Sequence, residues 1–300
     1  MIVTRSFMDQ TWTDLSSPTK EELDSLMFSQ NIDPLIAKDL LAPTPKQYVK
    51  EFDNVLYMVM HIPSFKHAKP ESSEHEIDFV ITEKSLVTTR YDSIDALHHF
   101  AKQVEVAEVL NKENHSHLFF GLMKEVYKFL FDEVEYMQDW IKEIEKKIFE
   151  GHEKEMVLGI STAGKNILTF KRIINPHQTV LENLISLGKN NFSDKFERDA
   201  RLLLEEWARL SALIEDISDI LDELRETNNS LLSTKQNEIM KIFTIMAFVT
   251  FPLSLIASIF GMNTSFIPIV GLHNDFWIII AIMFVISLAM FTFFKYKKWI

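Results

Sequence analysis

Two long apolar runs dominate the hydrophobic pattern near the C-terminus. Residues 242–260 and residues 276–294 each contain 19 residues and no charged side chain. As helices they would rise about 28 Å each at about 1.5 Å per residue, close to the thickness of the hydrocarbon core of a bilayer. The pattern predicts two transmembrane helices joined by an extracytoplasmic loop over residues 261–275.

A 4-3-4-3 spacing of apolar residues precedes the first run, and no proline or glycine lies between Gly188 and Pro252. This predicts one long stalk helix over residues 193–260 that continues as the first span. The seam could pack between copies as a coiled coil, with Asn228 fixing its register, or within one chain as a helical bundle. Its residues are Leu203, Trp207, Leu210, Ile214, Ile217, Leu221, Leu224, Asn228 and Leu231.

The first 192 residues change from short alternating segments to long helical ones. Residues 1–112 predict a cytoplasmic α/β domain, with strands at 2–7, 55–62, 77–81 and 86–89 and helices after Ser17-Pro18-Thr19 and over 92–110. Residues 113–192 predict a helical part with helices over 118–149 and 156–187, the second ending at Gly188. The fold class is therefore an α+β cytoplasmic domain, a long stalk helix and two transmembrane helices.

Charge and composition exclude several functions. The first 235 residues hold 41 acidic and 27 basic side chains, a net charge of −14, which argues against a nucleic-acid partner. The chain has no cysteine, so thiol catalysis and cysteine–zinc sites are excluded. Neither a P-loop nor a dinucleotide-binding glycine motif is present, and we expect no organic cofactor.

Lysines lie before the first span and after the second, but not in the loop that joins the two spans. Residues 242–294 contain no lysine or arginine, whereas Lys235 and Lys241 precede them and a basic C-terminus over 295–300 follows. The N-terminus does not resemble a signal peptide. The positive-inside rule then predicts a multi-pass protein of the cell (inner) membrane, within the lipid bilayer, with both termini in the cytoplasm.

The first span carries small and polar residues at helical spacing along one face. Such a stripe could pack helices together or line a pore, and two spans alone cannot enclose a polar path, so a pore requires oligomers. Its amide and hydroxyl groups suit the water shell of a hydrated divalent cation, and Met240, Phe243 and Phe251 could form a hydrophobic gate. The pore-lining candidates are Asn237, Met240, Thr244, Ala247, Phe251, Ser254 and Ser258.

An enzyme or a membrane-anchored scaffold is the competing interpretation. Histidines occur at His98-His99, at His115 and His117, and at His152, but no zinc-binding helix spacing joins them. We interpret them as exposed loop residues. No nucleophile–base pair is evident, so we predict no catalytic residue and no enzyme.

Four short motifs stand out in the C-terminal part of the chain: Asn237-Glu-Ile-Met-Lys241, Phe251-Pro-Leu253, Gly261-Met262-Asn263 and the terminal Lys297-Lys-Trp-Ile300. Together they resemble the CorA family of magnesium and divalent-metal channels. The stretches 49–53 and 60–63 also resemble the family's paired cytoplasmic strands, and 172–176 resembles one of its helical segments. The resemblance covers essentially the whole chain.

The resemblance implies a funnel-shaped homopentamer in which five stalk helices line the pore. It implies that Gly261, Met262 and Asn263 form the selectivity filter, and that Mg²⁺ is both the transported ion and a cytoplasmic regulator that closes the pore. It also implies a basic collar around the pore entrance, formed by Lys295, Lys297 and Lys298.

The chain departs from the family pattern at two places. Asp275 is the only acid in the loop over 261–275, where the family commonly carries several. Leu202 stands where the family places a regulatory aspartate, and Glu205 and Glu206, a turn later, are the candidate regulatory metal ligands. The acid-poor loop keeps open an alternative, transport of Zn²⁺, Co²⁺ or Ni²⁺ that could be proton-coupled, although Met262 argues against the zinc branch.

Overall fold

The computed structural model describes residues 2–7, 9–30, 32–65, 72–110, 117–263, 267–271, 273–297 and 299. By internal contacts the chain divides into two compact units, one ending at Arg225 and one beginning at Glu226. The elements of the first unit, in chain order, are β1 (Ile2–Phe7), β2 (Gln10–Ser16), α1 (Lys20–Gln30), α2 (Pro34–Asp39), β3 (Tyr48–Phe52), β4 (Val55–Phe65), β5 (Ser72–Ile81), β6 (Ser85–Arg90), α3 (Asp95–Leu110), α4 (Leu118–Phe149) and α5 (Glu153–Asn191). Helix α6 (Asp194–Phe260) spans the boundary between the units, and α7 (Asp275–Tyr296) follows it.

One sheet organises the N-terminal region. The described strands form a sheet in the order β1-β2-β6-β5-β4-β3, in which the β2–β6 pair is parallel and the other pairs are antiparallel. The β5–β6 pair is the hairpin expected around residues 82–85, and β3 and β4 form the strand pair that the family resemblance implied. Strand β2 and the short helix α2 are not among the predicted elements, and β3 is predicted only through the family resemblance.

Helices cover both faces of this sheet. On one face Tyr57, Val59 and Val80 share a core with residues of α1 and α2. On the other face Trp12 contacts Phe100 of α3, and Phe79 contacts Phe119 of α4 edge to face, with ring centroids 5.1 Å and 5.5 Å apart. The region is therefore a three-layer arrangement, which agrees with the predicted α/β domain.

The start of α1 shows the predicted cap in detail. The Glu22 amide donates to Thr19 Oγ1 at 3.3 Å, while the Thr19 amide donates to Glu22 Oε2 at 3.0 Å. This reciprocal pair is a capping box, which satisfies two amides that the first turn leaves without helical partners.

Helix α5 does not end at Gly188, so that prediction is wrong. The helix continues to Asn191, and a Cβ atom at Gly188 would lie 2.7 Å from a ring carbon of Phe196. Glycine is therefore favoured at position 188 because the Phe196 ring of α6 lies close to the α5 backbone, and not because the helix ends there.

Helix α6 is one continuous helix of 67 residues, as predicted. In the first unit its seam is buried within a single chain: Leu203, Leu210, Ile214, Ile217, Leu221 and Leu224 are nearly inaccessible. Trp207 Nε1 donates to the carbonyl oxygen of Ile174 in α5 at 3.0 Å, and Lys171 pairs with Glu215 at 2.7 Å. The helical-bundle interpretation of the seam is therefore confirmed for this stretch.

The second unit contains the membrane part. Among the described residues, two helices are long and apolar enough to span a bilayer, namely α6, through its C-terminal part, and α7. Half-buried residues recur at helical spacing in both, and the rings of Phe248 and Phe294 meet edge to face. These residues are Ile245, Val249, Leu253, Ile256 and Phe260 in α6, and Ile279, Ile282, Met283, Ile286 and Met290 in α7.

Candidate pore-lining surface

The predicted pore stripe lies on the face of α6 opposite to its half-buried face. Helical positions turn by about 100° per residue, which places the stripe about 180° from the face that packs within the unit. Six stripe residues are exposed in the single chain and Thr244 is half-buried. The stripe is therefore not what holds α6 to α7, and the helix-packing interpretation does not hold within one chain. The exposed members are Asn237, Met240, Ala247, Phe251, Ser254 and Ser258.

The polar groups of this face can accept hydrogen bonds. The Thr244 hydroxyl donates to the carbonyl oxygen of Met240 at 2.8 Å, which leaves lone pairs on Oγ1 free to accept. The waters bound to a cation point their hydrogens outward, so a surface that recognises a hydrated cation must present acceptors. The amide oxygen of Asn237 and the hydroxyl oxygens of Thr244 and Ser254 meet this requirement.

The candidate gate residues are large, apolar and exposed. Met240, Phe243 and Phe251 have 57%, 58% and 73% of their surface exposed, unlike apolar residues buried inside the unit. Met240 and Phe251 lie within the stripe, whereas Phe243 lies about 60° from its centre at about 100° per residue. The gate prediction therefore fits Met240 and Phe251 better than Phe243.

Helix α6 ends at Phe260, directly before the Gly261-Met262-Asn263 triplet. The Gly261 amide donates to the Ala257 carbonyl oxygen at 2.9 Å, and the Met262 amide donates to that of Ile259 at 3.3 Å. In the described chain only Gly151 and Gly271 are glycines with positive φ, so Gly261 does not form a left-handed cap. Its Cβ position lies 3.0 Å from the Ala257 oxygen, so a side chain there would crowd the last turn.

All three residues of the triplet are exposed. No described contact occupies the side chain of Asn263, which follows the stripe at the end of the helix. Its amide offers an acceptor oxygen and carries no charge.

Asp275, the acid of the loop over 261–275, has a structural role. One carboxylate oxygen accepts from the Phe276 amide at 2.7 Å and the other from the Gly271 amide at 3.0 Å. These bonds satisfy an amide in the first turn of α7 and hold a loop that contains positive φ at Ile269 and Gly271. The carboxylate therefore closes the loop.

The predicted regulatory and collar residues that the structure describes are exposed, except Glu206, which is half-buried. Glu205 is exposed, and Glu206 pairs with Arg209 one turn later. Within the described part of the chain no three acidic or histidine side chains are grouped as a metal site. Lys295 and Lys297 are exposed, and Lys298 lies outside the described residues.

The histidines are not all exposed loop residues, so that interpretation is wrong in part. His98 and His99 are exposed but lie on α3, and His115 lies outside the described residues. His117 is buried at the N-cap of α4, where Nδ1 accepts from the Phe119 amide and Nε2 donates to the Thr82 carbonyl oxygen. Burial lowers the pKa of His117, so it caps the helix as a neutral ring.

His152 occupies the N-cap position of α5 without a capping side-chain hydrogen bond. Its Nδ1 lies 3.4 Å from a carboxylate oxygen of Glu155. Both side chains are substantially exposed, so the contact is a surface ion pair at most.

Comparison with known proteins identifies the family. A family model described as "CorA-like Mg2+ transporter protein" matches residues 9–297. The cobalt/magnesium transport protein CorA of Thermotoga maritima is 24% identical over 270 residues, which cover 90% of this chain and 77% of that one. The putative metal ion transporter YfjQ of Bacillus subtilis is 22% identical, over 96% of this chain and 89% of its own.

Solved structures share the fold over nearly the whole chain. The complete structure of the CorA magnesium transporter from Methanocaldococcus jannaschii superposes with a TM-score of 0.85 at 21% identity, covering 97% of this chain and 92% of that one. The full-length CmaX protein gives a TM-score of 0.72 at 15% identity, covering 97% and 89%. The soluble α/β domain, long helix and two apolar C-terminal helices are thus a shared architecture, and with the match over residues 9–297 the chain belongs to the CorA family of Mg²⁺ transporters.

Proposed function

We propose that five copies of this chain form a membrane pore that passes hydrated Mg²⁺. The observation that carries the proposal is the polar stripe on the free side of α6, on an unbroken helix that ends at the Gly261-Met262-Asn263 triplet. A stripe turned away from its own unit can meet the same stripe of other copies around an axis. Five such faces would enclose a polar path that two spans cannot enclose alone.

Selection at Asn263 would act through the hydration shell. Mg²⁺ gives up its water reluctantly, and the stripe contains no carboxylate that could replace that water. A ring of Asn263 amide oxygens would accept hydrogen bonds from the waters of an intact shell. Because Asp275 is the one acid in the sequence of the loop over 261–275, this ring would select with little help from nearby negative charge.

Closure would occur at the apolar positions below the filter. Rings of Met240 and Phe251 side chains narrow a pore and favour its dewetting when the helices move inward. Cytoplasmic Mg²⁺ that binds acidic groups between subunits only in the closed state would stabilise that state by mass action. Glu205 is the better candidate ligand, since Arg209 already pairs with Glu206.

The orientation follows from the lysines. We infer that both termini are in the cytoplasm, that the loop over 261–275 is outside the cell (inner) membrane, and that Lys295, Lys297 and Lys298 surround the cytoplasmic entrance. A cysteine introduced at Thr264 should then react with an impermeant maleimide in whole cells, whereas one introduced at Lys154 should react only after lysis.

The decisive experiment measures Mg²⁺ flux in proteoliposomes containing the full-length protein. Asn263→Ala removes the proposed acceptor ring and should lower the flux at least tenfold. Asn274→Ala is the matched control, because Asn274 lies in the same loop, is exposed and makes no side-chain cap to α7. Undiminished flux in Asn263→Ala would refute the role of Asn263, and no flux in the unmodified protein would refute the proposed function.

A second candidate is transport of another divalent ion. The Thermotoga relative is named a cobalt/magnesium transport protein, and the acid-poor loop leaves Co²⁺, Ni²⁺ or Zn²⁺ open here. Liposomes loaded with a metal-sensitive and a pH-sensitive dye would separate these cases. Co²⁺ flux exceeding Mg²⁺ flux, or acidification that follows metal entry, would favour this alternative.

A further inference from the structure

One turn of α5 around Pro176 collects contacts from four other parts of the first unit. A proline inside a helix lacks the amide that would bond to the carbonyl four residues earlier, that of Arg172, and its ring pushes this carbonyl aside. Two carbonyls beside this position accept hydrogen bonds from side chains outside the helix. Gln47 Nε2 donates to the Ile173 carbonyl oxygen at 2.7 Å, and Trp207 Nε1 donates to that of Ile174 at 3.0 Å.

The Gln47 contact connects the sheet to this turn. Gln47 directly precedes β3, so its position follows that of the edge strand. Its Nε2 is bonded while its buried Oε1 has no hydrogen-bond partner in the described part of the chain. The amide is therefore oriented to donate to Ile173, at the expense of its own oxygen.

His177, directly after Pro176, connects the turn to β4 and α4. Nε2 lies 2.8 Å from the His61 carbonyl oxygen, and because a carbonyl can only accept, Nε2 carries the proton. Nδ1 then accepts from the Tyr127 hydroxyl at 3.3 Å. The ring is fully buried, and burial lowers its pKa to about 4, so His177 keeps this neutral arrangement at physiological pH.

We propose that residues 173–177 are a junction through which the sheet controls α6, and that Trp207 is the positioning residue on the α6 side. The sheet contacts the turn through Gln47 and His61, and Trp207 contacts it from α6, the helix that continues unbroken to the Gly261 triplet. A displacement of β3 or β4 therefore reaches α6 through one turn of α5. The inference deepens the proposed function, because it names how a cytoplasmic signal acts on the stalk.

The test compares two variants that each remove one donor and leave an apolar side chain in its place. Trp207→Phe removes the bond on the α6 side and Gln47→Met removes the bond on the sheet side. Trp140→Phe on α4, outside the junction, is the matched control. Full-length channels in giant liposomes are recorded while Mg²⁺ is varied at the face that carries the soluble unit.

Both variants should conduct normally at low Mg²⁺ and should require about fivefold more Mg²⁺ for half-closure, the equivalent of one net hydrogen bond. Since the two bonds lie in series, the double variant should shift closure no further than the larger single shift. The control should not shift it. Unchanged closure in Trp207→Phe, or additive shifts in the double variant, would overturn the proposal.

Hydrogen exchange separates this proposal from the proposed function. Gln47→Met changes a residue outside α6, yet it should accelerate amide exchange in α6 around Trp207 at least threefold. A purely local role of Gln47 would leave α6 unchanged, and that result would overturn the junction. If the unmodified protein passes no Mg²⁺, the proposed function fails, and exchange alone decides on the junction.

Discussion

Asp275 is the one acidic side chain in the sequence of the loop over 261–275, and both of its carboxylate oxygens accept from backbone amides. An acid placed beside a candidate filter suggests electrostatic attraction of cations. The contacts indicate instead that its first task is to close the loop onto the start of α7, where negative charge also meets the positive end of the helix dipole.

Two substitutions at Asp275 distinguish these roles. Asp275→Asn removes the charge but keeps one acceptor oxygen, so it should retain at least half of the Mg²⁺ flux. Asp275→Ala removes both acceptors and should cost about 1 kcal/mol, which lowers the unfolding midpoint by about 2–4 °C. Flux and thermal unfolding of the purified protein are the measurements. An equal and large loss of flux in both variants would instead point to cation attraction.

Buried histidines give the first unit opposite pH responses. The pKa of His177 is lower in the folded protein than in the unfolded chain. As the pH falls, His177 therefore takes up a proton in the unfolded chain before it does so in the folded protein. Its contribution to stability is complete above about pH 6.5 and is lost toward about pH 4. Burial lowers the pKa of His61, but the hydrogen bonds that its ring donates to the carboxylates of Glu76 and Glu74 outweigh burial and raise the pKa overall. The His61 contribution is therefore complete below its unfolded pKa and is lost as the pH rises.

The acid side of this response can be tested at His177. In His177→Gln an amide can still donate to the His61 carbonyl, but no group titrates. We expect its unfolding midpoint to be lower at pH 7 but to fall less steeply than that of the unmodified protein between pH 6.5 and pH 4. Parallel pH profiles for the two proteins would contradict a neutral, buried His177.

At the scale of elements, glycines in α5 show how one residue type serves different purposes. A Cβ atom at Gly188 would clash with the Phe196 ring. A Cβ atom at Gly159 would lie 3.6 Å from its nearest neighbour, a side-chain carbon of Ile144, which is an ordinary van der Waals distance. Both lie inside the same helix, where glycine costs about 1 kcal/mol relative to alanine. Substitution by alanine should therefore have opposite effects at the two positions.

Gly188→Ala should destabilise the protein by about 1–3 kcal/mol, because the added methyl overlaps the Phe196 ring. Gly159→Ala is the matched variant and should be neutral or stabilising by up to about 1 kcal/mol, through its higher helix propensity. Thermal unfolding of the two purified variants measures the difference. A stabilised Gly188→Ala would show that the close approach of α6 to α5 is not required.

At the scale of the whole molecule, elements with regular apolar spacing can be predicted from the sequence. Contacts between residues far apart in the sequence cannot. The bounds of α4 and the course of α6 follow from regular apolar spacing. Strand β2 was missed because Gln10–Ser16 lacks alternation: Thr13 and Asp14 are buried together with Trp12 and Leu15. The polar stripe could be found from sequence, but the Pro176 junction could not, since its donors are at residues 47 and 207.

The seam and the stripe share one helix, which predicts how insertions act on transport. Two alanines inserted after Ser233 rotate every later residue by about 200° at about 100° per residue, and seven rotate it by about 700°, only 20° short of two turns. The seven-residue insertion should retain Mg²⁺ flux in proteoliposomes, whereas the two-residue insertion should abolish it. Equal flux from both would mean that the stripe direction is not set by the seam.

Because α6 is continuous, its length sets both the distance and the rotation between residues of the stalk and residues of the membrane span. Substitutions along the stalk change local contacts, but a change in its length changes the direction in which every membrane residue points. Insertions and deletions in related chains should therefore fall in the loops before Asp194 or after Phe260, or come in multiples close to a whole number of turns.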